Sequence, residues 1–241
     1  MSRSIAINVG ANTNQPGVRG PIYADGRFEY VPIPEEEPTS ESVPTYADLD
    51  LAVDLPDGAA NLPVHLDPEF AEYPTCDRYT YGDDHGVKAG PLSKLDPGDS
   101  LFFYATLTFH GDEAGAADWV TPDWGTYLIG EFRVVRAVTG DEYDALAPDE
   151  QAVFANNAHV KRDPFDAKVL VEGGEDSRLF DHAVPLSTAE AGVDANRLVT
   201  ELSNDSGKGP WWRRRLWFDE GATSELRALV DAWPEGDVSA P

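Results

Sequence analysis

Hydrophobic and polar positions set the elements before any composition is counted. From Leu101 to Phe109, Leu101, Phe103, Ala105, Leu107 and Phe109 alternate with Phe102, Tyr104, Thr106 and Thr108. The strand this predicts is apolar on both faces at its start, so it is expected to be buried there. A Pro97-Gly98-Asp99 turn leads into it. Tyr127 to Val138, rich in β-branched and aromatic residues, predicts a second long strand. The Gly- and Asp-rich stretch between them makes the two an antiparallel pair with a long loop. Short strands are predicted over 4–9 and over Lys168 to Val171, and Phe28 to Pro34 reads as an extended segment that two prolines confine to an edge. Pro148 with Asp149 and Glu150 predicts a helix of roughly ten residues toward Asn157, since proline and early acids suit a first helical turn. Thr188 to Leu202 predicts another. Thr223 to Trp233 predicts a third, with Leu226, Leu229, Val230 and Trp233 at helical spacing and Thr223 or Ser224 as N-cap. The composite is α+β: one domain over 1–241, with a mixed or barrel-like β core at about 95–175 and a helical part at about 185–235.

Composition keeps this reading and adds a solvent. At 41% hydrophobic and 10% aromatic the 241 residues fill a core, which excludes a disordered chain. The longest nearly apolar run, Leu101 to Phe109, falls far short of the roughly 20 residues of a membrane helix, so no membrane partner is expected. The first residues lack the apolar stretch of a signal peptide, and the expected location is the cytoplasm. The single cysteine, Cys76, excludes an internal disulfide framework. Eighteen basic residues against 44 acids give a net charge of −26, the signature of a protein adapted to molar salt, where repulsion is screened to within about 3 Å. Such acidity reports the solvent rather than the partner.

Three groups of residues carry candidate chemistry. His65 and Asp67, with Asp83, Asp84 and His85 later, supply two imidazoles and three carboxylates, enough for proton transfer or for a divalent metal. The acid/base reading is taken, and neither a metal nor a cofactor is assigned. Asn8, Asn12, Asn14 and Gln15 gather amides beside Arg19, and amides offer the donors and acceptors that suit a nucleobase edge. Lys208 and Arg213 to Arg215 stand among Trp211, Trp212, Trp217 and Phe218, a mixture suited to stacking on bases. His159-Val160-Lys161-Arg162 is a smaller case of the same kind. The phosphate-cradling loop, the dinucleotide fingerprint, the nucleophile elbow and the His-Glu-x-x-His zinc motif do not occur, which lowers the common kinase, nucleotidase and hydrolase classes.

Strings spread along most of the chain resemble the third nucleotide-modification-associated domain family. They are Asn8 to Asn12, Gly20 to Phe28, Pro32 to Glu35, His65 to Phe70, Thr80 to Asp83, Pro97 to Asp99 with Leu101 to Tyr104, Ile129 to Phe132, and Asn157 to Arg162, and their order carries the resemblance. It implies work on modified nucleotides or bases. The Gly98 to Tyr104 and Leu128 to Arg136 strings are also similar to the central strands of PUA-like barrels, a group that includes readers of modified bases.

The expected protein therefore binds a nucleotide or a base in nucleic acid, modified bases among them, and processes it. Its expected catalytic groups are His65, Asp67 and His159, with His65 or His159 moving the proton and Asp67 orienting it. Its expected substrate contacts are Asn8, Asn12, Gln15, Arg19, Tyr104, Lys161, Arg162, Trp211 and Trp212. The alternatives are a non-catalytic reader with an aromatic cage from Tyr104, Trp119, Trp124 or Trp211, and an interaction subunit of a modification or defence operon.

Overall fold

The computed structural model describes residues 2–234; residue 1 and residues 235–241, which the single-domain reading includes, lie outside the described residues. In chain order the elements are β1 (Ser4–Asn8), β2 (Pro21–Ile22), β3 (Ile33–Pro34), β4 (Val64–His65), β5 (Thr80–Asp83), α1 (Gly86–Leu92), β6 (Ser100–Phe109), β7 (Trp124–Thr139), α2 (Gly140–Tyr143), α3 (Pro148–Gln151), α4 (Ala158–Lys161), β8 (Val169–Gly173), β9 (Arg178–Pro185), β10 (Leu216–Phe218) and α5 (Glu220–Ala232). The α+β class holds. The chain divides into two units, each built from separated segments: Met1–Val31, Ser100–Glu131 and Phe180–Pro241 in the first, Pro32–Asp99 and Phe132–Leu179 in the second. Neither sub-range expected from the sequence coincides with a unit.

In the first unit the order is β10, β1, β6 and the first half of β7, with β2 on β6 and β9 on β7. β1 runs parallel to β6, Ser4 opposite Ser100 and Asn8 opposite Tyr104, and antiparallel to β10. The continuous apolar start of β6 follows from this placement, because an interior strand buries both faces: Leu101, Phe102, Phe103 and Tyr104 are all fully buried. α5 lays Leu226, Leu229 and Val230 on a core that includes Phe102, Tyr104, Trp211 and Leu216, each such side chain contributing about 1.5–3 kcal/mol of burial. Its N-cap is Asp219, whose carboxylate accepts the Ala222 N–H at 2.9 Å. Thr223, one of the two expected caps, instead sits inside the first turns with its hydroxyl against Ser4 Oγ at 2.9 Å.

The helix expected over Thr188 to Leu202 shrinks to one turn at Leu198–Leu202. Two contacts stop it earlier. Gly192 lies so close to the Trp124 carbonyl that a Cβ there would stand 2.0 Å from the oxygen, and Asn196 spends its amide on the Pro185 carbonyl while its Oδ1 accepts the Leu198 N–H. A side chain that caps locally competes with continuation of the helix.

The second unit orders the later half of β7, then β8, then β5, with β3 and β4 as a separate two-stranded ladder. Among the described residues β5 pairs with β8 and with no strand beyond it, and β10 only with β1. The pairing is therefore open and not the closed barrel that was one of the two expected forms. The helix expected from Pro148 ends at Gln151 and passes into a 3-10 turn at Ala152–Phe154, which buries Phe154 with Val138, Ala167 and Leu170. The chain then restarts at α4, where Asn157 caps by accepting the His159 N–H at 3.1 Å. That break is what aims His159.

Candidate functional site

All of the site lies in the second unit. The β3–β4 ladder sets Ile33 opposite His65 and Pro34 opposite Val64, and the Glu35 N–H donates to the Pro63 carbonyl. The pairing thus delivers the Glu35 carboxylate to His65, 2.6 Å from Nδ1. A tight turn, with the Asp67 N–H on the His65 carbonyl, brings Asp67 back beside the same ring. From β5 the Gly82 N–H donates to Asp67 Oδ1 at 2.8 Å, and from the cap of α4 Asn157 Nδ2 donates to the same oxygen at 2.8 Å. Gly82 is bare for a reason: a Cβ would stand 2.7 Å from His159 Cδ2 and 2.8 Å from Asn157 Oδ1.

With Asp67 Oδ1 held in this way, Oδ2 is turned to the two histidines. His65 Nε2 is 4.0 Å from it and His159 Nε2 is 3.8 Å from it. His159 Nδ1 is bonded to Asp166 Oδ1 at 2.8 Å. A carboxylate only accepts, so each Nδ1 carries a proton, and in a neutral ring the lone pair is then the one on Nε2. Arg162 ties the outer carboxylates together, Nη2 to Glu35 Oε1 at 2.9 Å and Nη1 to Asp166 Oδ2 at 2.7 Å. His65, Asp67 and His159 are 5%, 8% and 4% exposed, so these contacts act in a poorly solvated space.

The electrostatics follow from that burial. Burial pushes the Asp67 carboxyl well above its usual range, and the hydrogen bonds from Gly82 and Asn157 recover only part of the shift. Burial, with His65 beside it, holds His159 below its ordinary value although Asp166 pulls the other way. For Glu35 burial also acts upward, but the bonds from His65 and Arg162 win and bring it down to about 2. Glu35 is thus held in its ionised form beside His65, while the deeper Asp67 is pushed toward its neutral form.

Of the residues expected to act, His65, Asp67 and His159 are brought together. Asp67, expected to orient the histidine, lies 4.0 and 3.8 Å from the two Nε2 atoms; the Nδ1 atoms are held by Glu35 and Asp166, neither of which was a candidate. Arg162, expected to meet substrate, is committed to those two carboxylates. Lys161 leaves the site side of α4 and bonds to Asn156 Oδ1. Glu35 does close a string shared with the resembled family, and Asn157 opens another, but no spacing rule joins them to His65.

The remaining expected contacts belong to the first unit. Asn8 Nδ2 reaches the Tyr104 carbonyl at 3.5 Å, and Asn12 forms a closed turn with Gln15, its own Oδ1 accepting the Asn14 N–H. Arg19 stacks over Trp124, 4.7 Å from the ring centre. Tyr104 is fully buried with its hydroxyl on the Arg214 carbonyl, and Trp211 is fully buried with Nε1 donating to the Val193 carbonyl. Neither presents a face to a base, so both are core residues rather than substrate contacts or cage walls. Trp212, half-buried, meets Trp124 edge to face at 5.4 Å.

Among the described residues no helix is long and apolar enough to cross a membrane. No curated protein and no solved structure gives a match to the chain. The model of one family does match, nucleotide modification associated domain 3, over residues 3–229. That span covers most of both units and every residue of the site, and on it the chain belongs to the nucleotide modification associated domain 3 family.

Proposed function

We propose that this protein processes a nucleotide, or a base within nucleic acid, in a nucleotide-modification system, and that His65, Asp67 and His159 form its reactive centre. The observation that supports this most is the convergence of two imidazole Nε2 lone pairs on one buried carboxylate oxygen, at 3.8 and 4.0 Å. A neutral imidazole whose Nδ1 is fixed by a carboxylate is a general base aimed in one direction. Either ring takes a proton from a substrate group placed between them, and Asp67 stabilises the imidazolium that results. Membership of the family supports a role in a nucleotide-modification system.

Substrate contact has separate support in the first unit. Arg19 Nε is buried without a hydrogen-bond partner among the described residues, and its guanidinium already stacks on Trp124. Guanidinium and indole planes are the surfaces on which bases stack.

The test is turnover across a panel of nucleotides, nucleosides and single-stranded oligonucleotides carrying plain and modified bases. His65→Ala is expected to remove turnover while the melting curve stays cooperative. Full turnover by folded His65→Ala and His159→Ala chains would defeat the reading and favour a non-catalytic binder.

A further inference from the structure

The inner atoms of the centre converge as three potential ligands. Two Nε2 lone pairs and Asp67 Oδ2 face one another, and ligand atoms from the three residues all lie within 4.8 Å. Both rings make their carboxylate bonds at Nδ1, to Glu35 and to Asp166, and both are more than nine-tenths buried. A proton on Asp67 would bridge only one of the rings, and 3.8 to 4.0 Å is too long for such a bond. Around them Glu35 and Asp166 pair with Arg162, Asp83 with Lys88, and Asp84 lies beside Arg162 and His85. Three convergent acceptors in an anionic shell are what a cation requires.

We propose that His65, Asp67 and His159 bind one divalent first-row transition ion of the zinc or iron(II) class through Nε2, Oδ2 and Nε2. Tetrahedral bonds of about 2.0–2.1 Å hold ligand atoms roughly 3.4 Å apart, so Asp67 and the two rings must close inward for one ion to reach all three. Two imidazoles with a carboxylate are softer than the all-oxygen sets of magnesium and calcium. The outer contacts agree: metal-bound histidines commonly donate the other ring N–H to a carboxylate, which fixes the ring and raises its basicity, and here both do, to Glu35 and Asp166. Three protein ligands leave coordination positions open to water or substrate. With the ion bound, both Nε2 atoms are ligands and not free bases, so this inference stands against the proton-transfer role given to them above; it is tested separately, because binding of the ion is measured without a substrate.

The experiment uses the full chain in molar KCl, which suppresses diffuse binding to surface acids. After chelation and desalting it is titrated with Co²⁺ alone and then with Zn²⁺. Expected are one Co²⁺ per chain with a visible ligand-field band, its displacement by Zn²⁺, and two exchangeable, hyperfine-shifted imidazole N–H proton signals from the Nδ1 sites. His65→Ala and His159→Ala should lose the band. Asp166→Asn should keep it and weaken affinity by about 10–100-fold. Absence of stoichiometric Co²⁺ binding by the folded wild-type chain overturns the proposal, as does a band unchanged in folded histidine variants. Should the alanine variants fail to fold, the two shifted N–H signals in the wild-type chain decide: their presence supports the site, and their absence removes it.

Discussion

His65 and His159 meet edge to face, ring centres 4.8 Å apart at an interplanar angle of 87°, each with its inner nitrogen turned to the same Asp67 oxygen. Neither ring is free to choose that direction. One is fixed by Glu35 on the strand ladder and the other by Asp166 beyond α4, and Arg162 joins the two anchors. The inner geometry is therefore set from outside, and changes to the outer groups are expected to register at the centre.

Glu35→Gln tests the anchor. The amide still accepts from His65 Nδ1 but no longer neutralises Arg162, which sits in a largely buried position. A stability loss of about 1–3 kcal/mol is expected in denaturant unfolding, since hydrogen bonds to charged groups are worth more than neutral ones. An unchanged midpoint would mean that Arg162 finds its full compensation in Asp166.

Gly82→Ala tests the packing under Asp67. The new Cβ must displace His159 or Asn157, and overpacking of this kind costs about 1–3 kcal/mol. Gly86→Ala is the control, since nothing lies within 4 Å of its Cβ and it stands at the start of α1 without a positive φ; it should stabilise by about 0.4–1 kcal/mol. Melting curves of the pair give opposite signs if the close approach at Gly82 is what requires glycine.

Trp211→Ala should act on the fold. The indole is fully buried and gives its N–H to the Val193 carbonyl, so the truncation is expected to cost about 3–5 kcal/mol. Trp212→Ala, at a half-buried position, should cost clearly less. Equal losses in the two variants, measured by chemical unfolding, would contradict this placement.

Salt should stabilise the chain. A net charge of −26 repels itself in dilute buffer, and molar KCl shortens the screening length to about 3 Å. The melting temperature is expected to rise on going from dilute buffer to molar KCl, and a flat response would show that surface repulsion is not a large term here.

Much of the fold follows from local pattern. Alternation placed β6 to within a residue, and β-branched and aromatic content placed β7 to within about three, with Ser100–Phe109 and Trp124–Thr139 observed, because an interior strand must be apolar along its length wherever it is covered. Helical spacing of Leu226, Leu229 and Val230 located α5 for the same reason. The cap was missed by a few residues, since Asp219, Thr223 and Ser224 all have capping side chains and only the packing of Thr223 on Ser4 chooses among them.

By itself the sequence determined the α+β class, the long strands, the acidic surface and the presence of His65, Asp67 and His159 as chemically capable groups. Only the tertiary structure decided that these three converge, that Glu35 and Asp166 hold the rings, that Arg162 is spent on those anchors, and that Tyr104 and Trp211 are core. The physical reason is range: periodicity reports which face of an element is buried, and capping and turn chemistry act over a few residues. The site is made by contacts between β4, β5 and the start of α4, segments far apart in the chain, and a carboxylate among 44 acids carries no local mark of the imidazole that it will meet.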